Sequence, residues 1–427
     1  MRKAQYICLV GSIGLISADR IDLLLRSAPF TLTPFLVLSP LVVLFSLLSK
    51  GLAGTPHLTI TPPIQRQIPF LAASSLFLLL SLISVALGMD PERGIVAFAD
   101  LLLVCILGYC ISMRILVDLE PEKLIVRSVT FAVLVYTFFC VGQVIAWTHG
   151  MVMAQEPTSW VESLFAPQPL WVFAPRLSGA TVDPNRAGFV LVMYIALLDK
   201  FAAKSRYTFM LHLVVAVLVL LTLSRSAMLC WFVYYFFSRN FWKLFTSRRV
   251  VVWLTIIAIA SSLGYFFYRE QLNDLSEAWN ISEAVSDRFT LDQGSSGGDH
   301  IALIRRGVDT WLSSTHTVII GIGFAAAPKV LTDFFGTNKH GNFHSLYLTV
   351  LAELGFFAFV TLMFILGYPV YGRQGSVACI AAIVIFNVTY QSLMEPLFWV
   401  ILALLWSFER RGGAKHQPLV LSSVPAS

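Results

Sequence analysis

Long apolar runs separated by short polar segments dominate this chain. Runs of about 20 apolar residues have the length of a helix that crosses the hydrocarbon core of a bilayer. Because twelve such runs occur, both termini are expected on the same side of the membrane. The predicted spans lie near residues 4–18, 33–49, 69–88, 95–115, 124–147, 185–203, 207–223, 226–241, 249–267, 343–370, 376–393 and 395–409.

Two polar segments are too long to be simple connections between spans. Residues 148–184 contain five prolines, and residues 268–342 include the tract DQGSSGGDH, whose glycines and serines are typical of loops. The predicted fold class is an all-α integral membrane protein with about twelve transmembrane helices and a large loop domain. Its divisions are N-terminal transmembrane helices (1–147), a central transmembrane core (148–267), a large loop (268–342), C-terminal transmembrane helices (343–409) and a tail (410–427).

The apolar stretch 207–241 is open to two interpretations, a single long helix or a hairpin that turns at LSRSA. A single helix would put the basic segments KFAAKSR and RNFWKLFTSRR on opposite sides of the membrane. Lys and Arg are enriched in cytoplasmic loops, so a hairpin that keeps both segments on one side is favoured.

Composition and charge support a membrane protein. The chain is 57% hydrophobic and 13% charged, against about 25% charged in soluble domains. By the positive-inside rule, the set of short loops that holds 18 of the 30 Lys and Arg is cytoplasmic.

The chain has no basic tract that would indicate nucleic-acid binding. Its cysteines lie inside apolar runs without CxxC spacing, which indicates neither a zinc site nor a disulfide framework.

The remaining basic residues are expected on the outer side, and ten of these twelve are arginines. Arginine binds phosphate oxygens with two parallel hydrogen bonds, so an arginine-rich outer face indicates an anionic ligand. The alternative is ordinary ion pairing with external Asp and Glu. The ten are Arg20, Arg26, Arg93, Arg176, Arg186, Arg225, Arg269, Arg288, Arg305 and Arg306.

Two patterns place arginines at special positions. Arg225 stands at the proposed hairpin turn. A charged side chain near membrane depth is usually functional or paired with an opposite charge. The alternative is that the Arg225 side chain extends to the membrane–water interface. In RLSGATVDPNRAG, Asp183 is suited to cap a helix that begins at Pro184, with Asn185 and Arg186 in its first turn. A helix N-terminus is itself an anion site, although Arg186 could equally be solvated there.

The stretch HGNFHSLYLTVLAELG places His340 and His344 before a long apolar run. We expect Asn342 to cap a helix that begins at Phe343, with His344 in its first turn. The positive end of the helix dipole would then favour a neutral imidazole, the form that accepts a proton from a hydroxyl. The alternative is an interfacial histidine that bonds a neighbouring loop. Glu353 and Asp100 are expected to be buried polar contacts.

DPNRAG, LSRSA, VIIGIGF and FHSLYLTVLAELG, in this order, resemble the O-antigen ligase and polymerase superfamily. Its members are bacterial integral membrane glycosyltransferases that use undecaprenyl-diphosphate-linked glycans. The resemblance implies a fold like the lipid-donor glycosyltransferases of the C class, an inner-membrane location and an active site facing the periplasm. It also implies acceptor activation by His344 and diphosphate binding by Arg225, with a second arginine from the large loop. Where the family has Asn after the histidine, this chain has Ser345.

Together these patterns predict an inverting glycosyltransferase that polymerises O-antigen or exopolysaccharide. Its expected partners are the lipid-linked donor, an acceptor glycan or lipid A–core, and membrane lipids, with no cofactor or metal. One alternative is a ligase that transfers glycan to lipid A–core. Another is a lipid-linked oligosaccharide flippase, although no internal repeat of the kind common in transporters is present. Predicted diphosphate ligands are Arg225, Arg186, Arg176, Arg288, Arg305 and Arg306; Asp183, Asn185 and His340 are predicted to support the site.

Overall fold

The computed structural model describes residues 2–22, 32–52, 67–118, 120–152, 160–171, 174–238, 296–336, 341–370 and 377–407. Eleven of the twelve predicted spans coincide with helices there, and 249–267 lies outside the described residues. The helices are α1 (Arg2–Gly14), α2 (Pro34–Leu52), α3 (Ile68–Leu87), α4 (Pro91–Leu116), α5 (Pro121–Thr148), α6 (Trp160–Phe165), α7 (Pro184–Phe201), α8 (Arg206–Leu221), α9 (Arg225–Phe237), α10 (Ser296–Trp311), α11 (Thr315–Ile320), α12 (Ala327–Phe335), α13 (Leu346–Gly367), α14 (Val377–Phe386) and α15 (Pro396–Ser407).

The helices agree with a helical membrane protein. Among the described residues, four segments are long and apolar enough to cross a membrane: α3, α4, α5 and α13 with the short 3-10 turn after it. Other apolar helices are shorter, and α14 ends at Phe386 rather than near residue 393 because a tight turn follows it. The count of twelve spans and the side on which each loop lies stay predictions.

Residues 207–238 form the predicted hairpin. His212 of α8 and Tyr234 of α9 both contact Asp199 near the end of α7, at 3.3 Å and 2.8 Å respectively. At the other end of α7, Gly188 lies against both Thr222 and Ala227. The two arms therefore run in opposite directions beside α7, and residues 222–224 make the turn.

The proline-rich segment contains a two-stranded antiparallel ladder, β1 (Gln168–Trp171) with β2 (Ala174–Arg176), a local departure from all-α structure. Arg20, which is 4% exposed, holds this region to the bundle. Its guanidinium donates to the carbonyl oxygens of Thr181, Leu164 and Ala166 at 3.0–3.1 Å and to the Ser178 hydroxyl at 2.8 Å. Arg20 is thus a structural residue, not part of an open anion site.

Helix α13 is broken at Gly355, whose φ is +80°. The loop 321–326 packs into the break, where Ile322 N donates to Ala352 O at 2.8 Å. The Glu353 carboxylate accepts from Ala325 N at 3.0 Å and Ala327 N at 2.9 Å, which satisfies backbone groups at the start of α12. The prediction that Glu353 is a buried contact between helices is confirmed. The same prediction for Asp100 is wrong, because its position on α4 faces away from the bundle and is exposed.

Several loops meet at one end of the bundle, which we call the site end. Arg20 N donates to Ala180 O, Leu177 N to Leu221 O, and Leu346 N to Tyr390 O. These bonds join the segment before α7 to the loop after α1 and to the end of α8, and join the turn after α14 to the start of α13. The site end therefore gathers the DPNR, LSRSA and FHSL motifs, which are far apart in the sequence.

Candidate active site

The start of α7 forms as the sequence predicts. The Asp183 side chain accepts from Asn185 N at 2.8 Å, and Pro184 occupies the first helical position, where its missing N–H costs nothing. Asp183 therefore caps α7 and leaves the side chain of Asn185 in the first turn available for contacts with neighbouring elements.

Asn185 joins β2 to the hairpin turn. Its Oδ1 accepts from Arg176 Nη2 at 3.0 Å and from the Ser224 hydroxyl at 2.7 Å. Arg176 Nε also reaches Thr222 O at 3.4 Å, and Ser224 Oγ in turn accepts from Ala227 N as the cap of α9. One amide oxygen thus fixes an arginine and the residue immediately before Arg225.

Arg176 and Arg225 form a pair of neighbouring cations at the site end. The pKa of the Arg176 guanidinium lies below its usual range because of burial, an effect that Asp183 opposes and the positive charge of Arg225 adds to. Arg225 is the first residue of α9 and is exposed. Two arginines thus lie near the capped starts of α7 and α9, and paired cations at helix starts are the kind of group that binds a diphosphate.

Arg186 does not fit its predicted role as a diphosphate ligand. Its Nη1 donates to Asp19 Oδ2 at 2.6 Å and its Nε to Glu395, which also accepts from the Ser17 hydroxyl. Two carboxylates therefore already neutralise this guanidinium, and Arg186 connects the loop after α1 to the start of α15. We leave it out of the proposed ligand set.

The arginines of the large loop divide into two groups. Arg288 and the predicted supporting residue His340 lie outside the described residues. Arg305 and Arg306 lie on α10, where Arg305 is exposed and the Arg306 guanidinium stacks on Phe334 at 5.1 Å from the ring centroid. Whether Arg305 or Arg306 binds diphosphate stays a prediction.

His344 lies just before α13 rather than in its first turn. Ser345 is the N-cap residue, and the helix begins at Leu346. Asn342 does cap the chain locally, since its Oδ1 accepts from His344 N at 2.8 Å, but His344 then takes a left-handed φ of +52°. The expected position of His344 inside the helix is wrong. A left-handed backbone at a residue other than glycine is costly and is concentrated at functional sites.

His300 of α10 contacts His344, a neighbour that the sequence analysis did not identify. The two ring centroids are 4.8 Å apart and the rings are nearly perpendicular, at 85°. Phe343, which is fully buried, packs against Gly307 and holds the two segments together. His300, Leu303 and Gly307 are spaced i, i+3 and i+7, so they lie on one face of a helix. That spacing was the sequence pattern from which His300 could have been placed on the packed face of α10.

Residues 387–392 form a turn, the 387–392 turn, that connects His344 to Arg176 and Arg225. Leu346 N donates to both Asn387 O at 3.0 Å and Tyr390 O at 2.8 Å. Thr389 shares a hydrogen bond of 2.7 Å with Ser226, the residue after Arg225. The Tyr390 hydroxyl lies beside the Asp183 carboxylate. His344, Arg225 and the start of α7 are therefore arranged around one turn.

No group of three or more His, Cys, Asp or Glu side chains that could hold a metal ion occurs within the described ranges. The arrangement instead combines a cation pair with a partly buried imidazole. It can bind a multiply charged anion and accept a proton close to it.

Part of the chain matches a known family. Residues 210–363 match the model of a family described as O-antigen ligase, which confirms the resemblance to the O-antigen ligase and polymerase superfamily. The match runs from α8 into α13, so it includes Arg225 and His344 but not Arg176 or Asn185. No curated protein matches the chain.

Proposed function

We propose that this protein is an inverting glycosyltransferase of the bacterial inner membrane that uses an undecaprenyl-diphosphate-linked glycan at the periplasmic face. The observation that carries the proposal is the arrangement of Arg176, Arg225 and His344 around the 387–392 turn. The family match at residues 210–363 supports the same class of reaction.

In this mechanism, Arg225 and Arg176 bind the oxygens of the donor diphosphate. Their charges stabilise the leaving group as the bond between the anomeric carbon and the diphosphate oxygen breaks, and the diphosphate departs with the electron pair. Charge stabilisation of this kind needs no reorganisation at the moment of reaction, because Asn185 and Thr222 already hold the Arg176 side chain.

His344 acts on the other substrate. Its neutral imidazole accepts the proton of an acceptor hydroxyl as that oxygen bonds to the anomeric carbon from the face opposite the diphosphate, which inverts the configuration. The edge of His300 and the bond from His344 N to Asn342 restrict where this imidazole can lie. Restriction of this kind supports catalysis, since a misplaced base loses most of its effect.

For the acceptor we propose a second lipid-linked glycan, which makes the protein a polymerase of O-antigen or exopolysaccharide. Ser345 in place of the asparagine that follows the histidine in the family pattern favours this choice. The second candidate is a ligase that uses lipid A–core, favoured by the description of the matching family as O-antigen ligase.

One reconstituted assay tests the class and separates the two acceptors. Purified protein in liposomes receives an undecaprenyl-diphosphate-linked glycan with either more of the same donor or lipid A–core as acceptor. Growth of the lipid-linked chain supports the polymerase, and glycan on lipid A–core supports the ligase. Absence of transfer to both acceptors by wild-type protein that still binds the donor overturns the proposal.

A further inference from the structure

The 387–392 turn makes contacts that the stability of its neighbours does not require. Helix α7 is already capped by Asp183, and α9 is already capped by Ser224. The Tyr390 hydroxyl nevertheless lies beside Asp183, and Thr389 bonds Ser226 in the first turn of α9. The turn therefore adds side-chain hydroxyl contacts to two helix starts that already have caps.

The turn is itself held in a single conformation. Asn387, which is fully buried, donates from Nδ2 to Ile383 O at 2.9 Å and accepts from both Ser392 N and the Ser392 hydroxyl, at 3.0 Å and 2.8 Å. The Tyr390 ring packs on Phe386 at 4.9 Å, and Phe386 stacks on Phe189 of α7 at 4.5 Å. A turn that is locked at both ends can transmit a fixed distance between the elements bonded to it.

We propose that the 387–392 turn sets the distance between the diphosphate and His344, with Tyr390 and Thr389 as positioning residues. On one side the Thr389 hydroxyl bonds the start of α9, which carries Arg225. The Tyr390 hydroxyl lies beside Asp183 at the start of α7, which carries Asn185. On the other side two carbonyl oxygens of the turn hold Leu346 N, two residues after His344. This inference rests on the proposed function, because it concerns the placement of the proton acceptor relative to the donor.

The test removes single hydroxyls. Tyr390→Phe keeps the size of the side chain and removes the hydroxyl beside Asp183, and Thr389→Val does the same for the hydroxyl bonded to Ser226. Tyr347→Phe is the matched control, because its hydroxyl also bonds across to α14, at Val384 O and 2.9 Å, without reaching either arginine-bearing helix. The readouts are donor binding in liposomes and turnover in the reconstituted chain-transfer assay.

We expect Tyr390→Phe to lower kcat by about tenfold to a hundredfold, since a shift near 1 Å in a reacting group has effects of that size. Thr389→Val should change kcat in the same direction by less, because its contact is exposed. Donor Kd should stay within about twofold of wild type in both variants, because Arg176 and Asn185 keep their own bond. Tyr347→Phe should match wild type in both measurements.

Double variants separate positioning from a general loss of stability. If the turn acts by placing His344, Tyr390→Phe should cost nothing more in a His344→Ala background, because residues that act as a unit are not additive. An equal loss in both backgrounds overturns the proposal, as does a Tyr390→Phe protein that loses donor binding as much as turnover or keeps full kcat. Transfer by the wild-type protein decides the proposed function separately, before any variant is compared.

Discussion

The amide oxygen of Asn185 lies 3.0 Å from Arg176 Nη2 and orients that guanidinium beside the start of α9. The backbone of Asn185 is held by the Asp183 cap of α7. The orientation of Arg176 therefore depends on Asn185, nine residues later in the chain. A lateral amide contact of this kind orients an arginine without neutralising it. Among the described residues no carboxylate forms an ion pair with Arg176, whereas Arg186 is paired with two.

Asn185 and Arg176 are predicted to act together in donor binding. Asn185→Ala should weaken donor binding, because the Arg176 guanidinium loses its orienting acceptor, and Arg176→Ala should weaken it further. The two losses should be less than additive, since both report on one contact. The measurement is donor Kd for each single variant and the double variant. Full additivity would show that Asn185 does not act through Arg176.

Arg225→Lys is predicted to lower activity sharply while the amount of protein in the membrane stays near normal. Lysine keeps the charge but loses the planar fork that binds two phosphate oxygens at once. The assay is chain transfer at saturating acceptor, with Lys329→Ala as a control for loss of a positive charge elsewhere. Wild-type activity in Arg225→Lys would make Arg225 a simple point charge, and wild-type activity in Arg225→Ala would remove it from the site.

His344→Ala is predicted to reduce turnover by at least about 10²-fold, the low end for a positioned proton acceptor. Donor binding should survive, because the arginines provide it. Wild-type activity should rise between pH 5 and 8, the range in which imidazoles titrate, since only a neutral imidazole accepts the proton. An activity that falls as pH rises over this range would contradict the role of a base.

His300 supplies a companion test for the same residue. If His300 restricts the His344 ring by packing, His300→Phe should retain most of the turnover because an aromatic edge remains, while His300→Ala should lose turnover with donor Kd unchanged. Both variants are compared across the same pH range. Equal loss in Phe and Ala variants would mean that a ring nitrogen of His300, rather than its shape, is needed.

The ion pairs of Arg186 are predicted to serve stability. Breaking a buried ion pair costs roughly 3–5 kcal/mol, and the partial exposure of Arg186 favours the lower end. Glu395→Ala should therefore lower the melting temperature in detergent, and the protein that remains folded should bind donor normally. Asp19→Ala should act in the same direction. Loss of donor binding in a stable Glu395→Ala protein would return Arg186 to the ligand set.

The side of the membrane on which the site end lies is tested by reporter fusions. Twelve spans with both termini in the cytoplasm predict an external signal from a fusion at Gly297 and an internal signal from one at Gly412. An external signal at Gly412 would change the number of spans to an odd value. It would not change the hairpin at residues 222–224, which rests on the contacts of α8 and α9 with Asp199.

Local features of this chain could be predicted from the sequence, and contacts between distant segments could not. The cap at Asp183 depends on neighbouring residues, so its pattern was sufficient, and the basic segments that flank residues 207–241 were enough to favour a hairpin at LSRSA. The partners of Arg186 are 167 and 209 residues away, and no periodicity indicates such distances. The start of α13 was misplaced because Asn342 does bond the backbone as a cap would, yet the left-handed φ of His344 delays the helix by three residues from the predicted Phe343.

The break in α13 also has a consequence for how the protein assembles in the bilayer. An interrupted helix exposes peptide groups that lipid cannot satisfy, so this face of α13 requires protein beside it. The segment that provides it, residues 319–327, precedes α13 in the chain and is therefore synthesised first. Gly321 and Gly355 allow the two backbones to touch, because a side chain at either would collide with the carbonyl oxygen of Glu353 or Ile319. The loop at residues 321–326 is therefore available as a packing surface when α13 is completed.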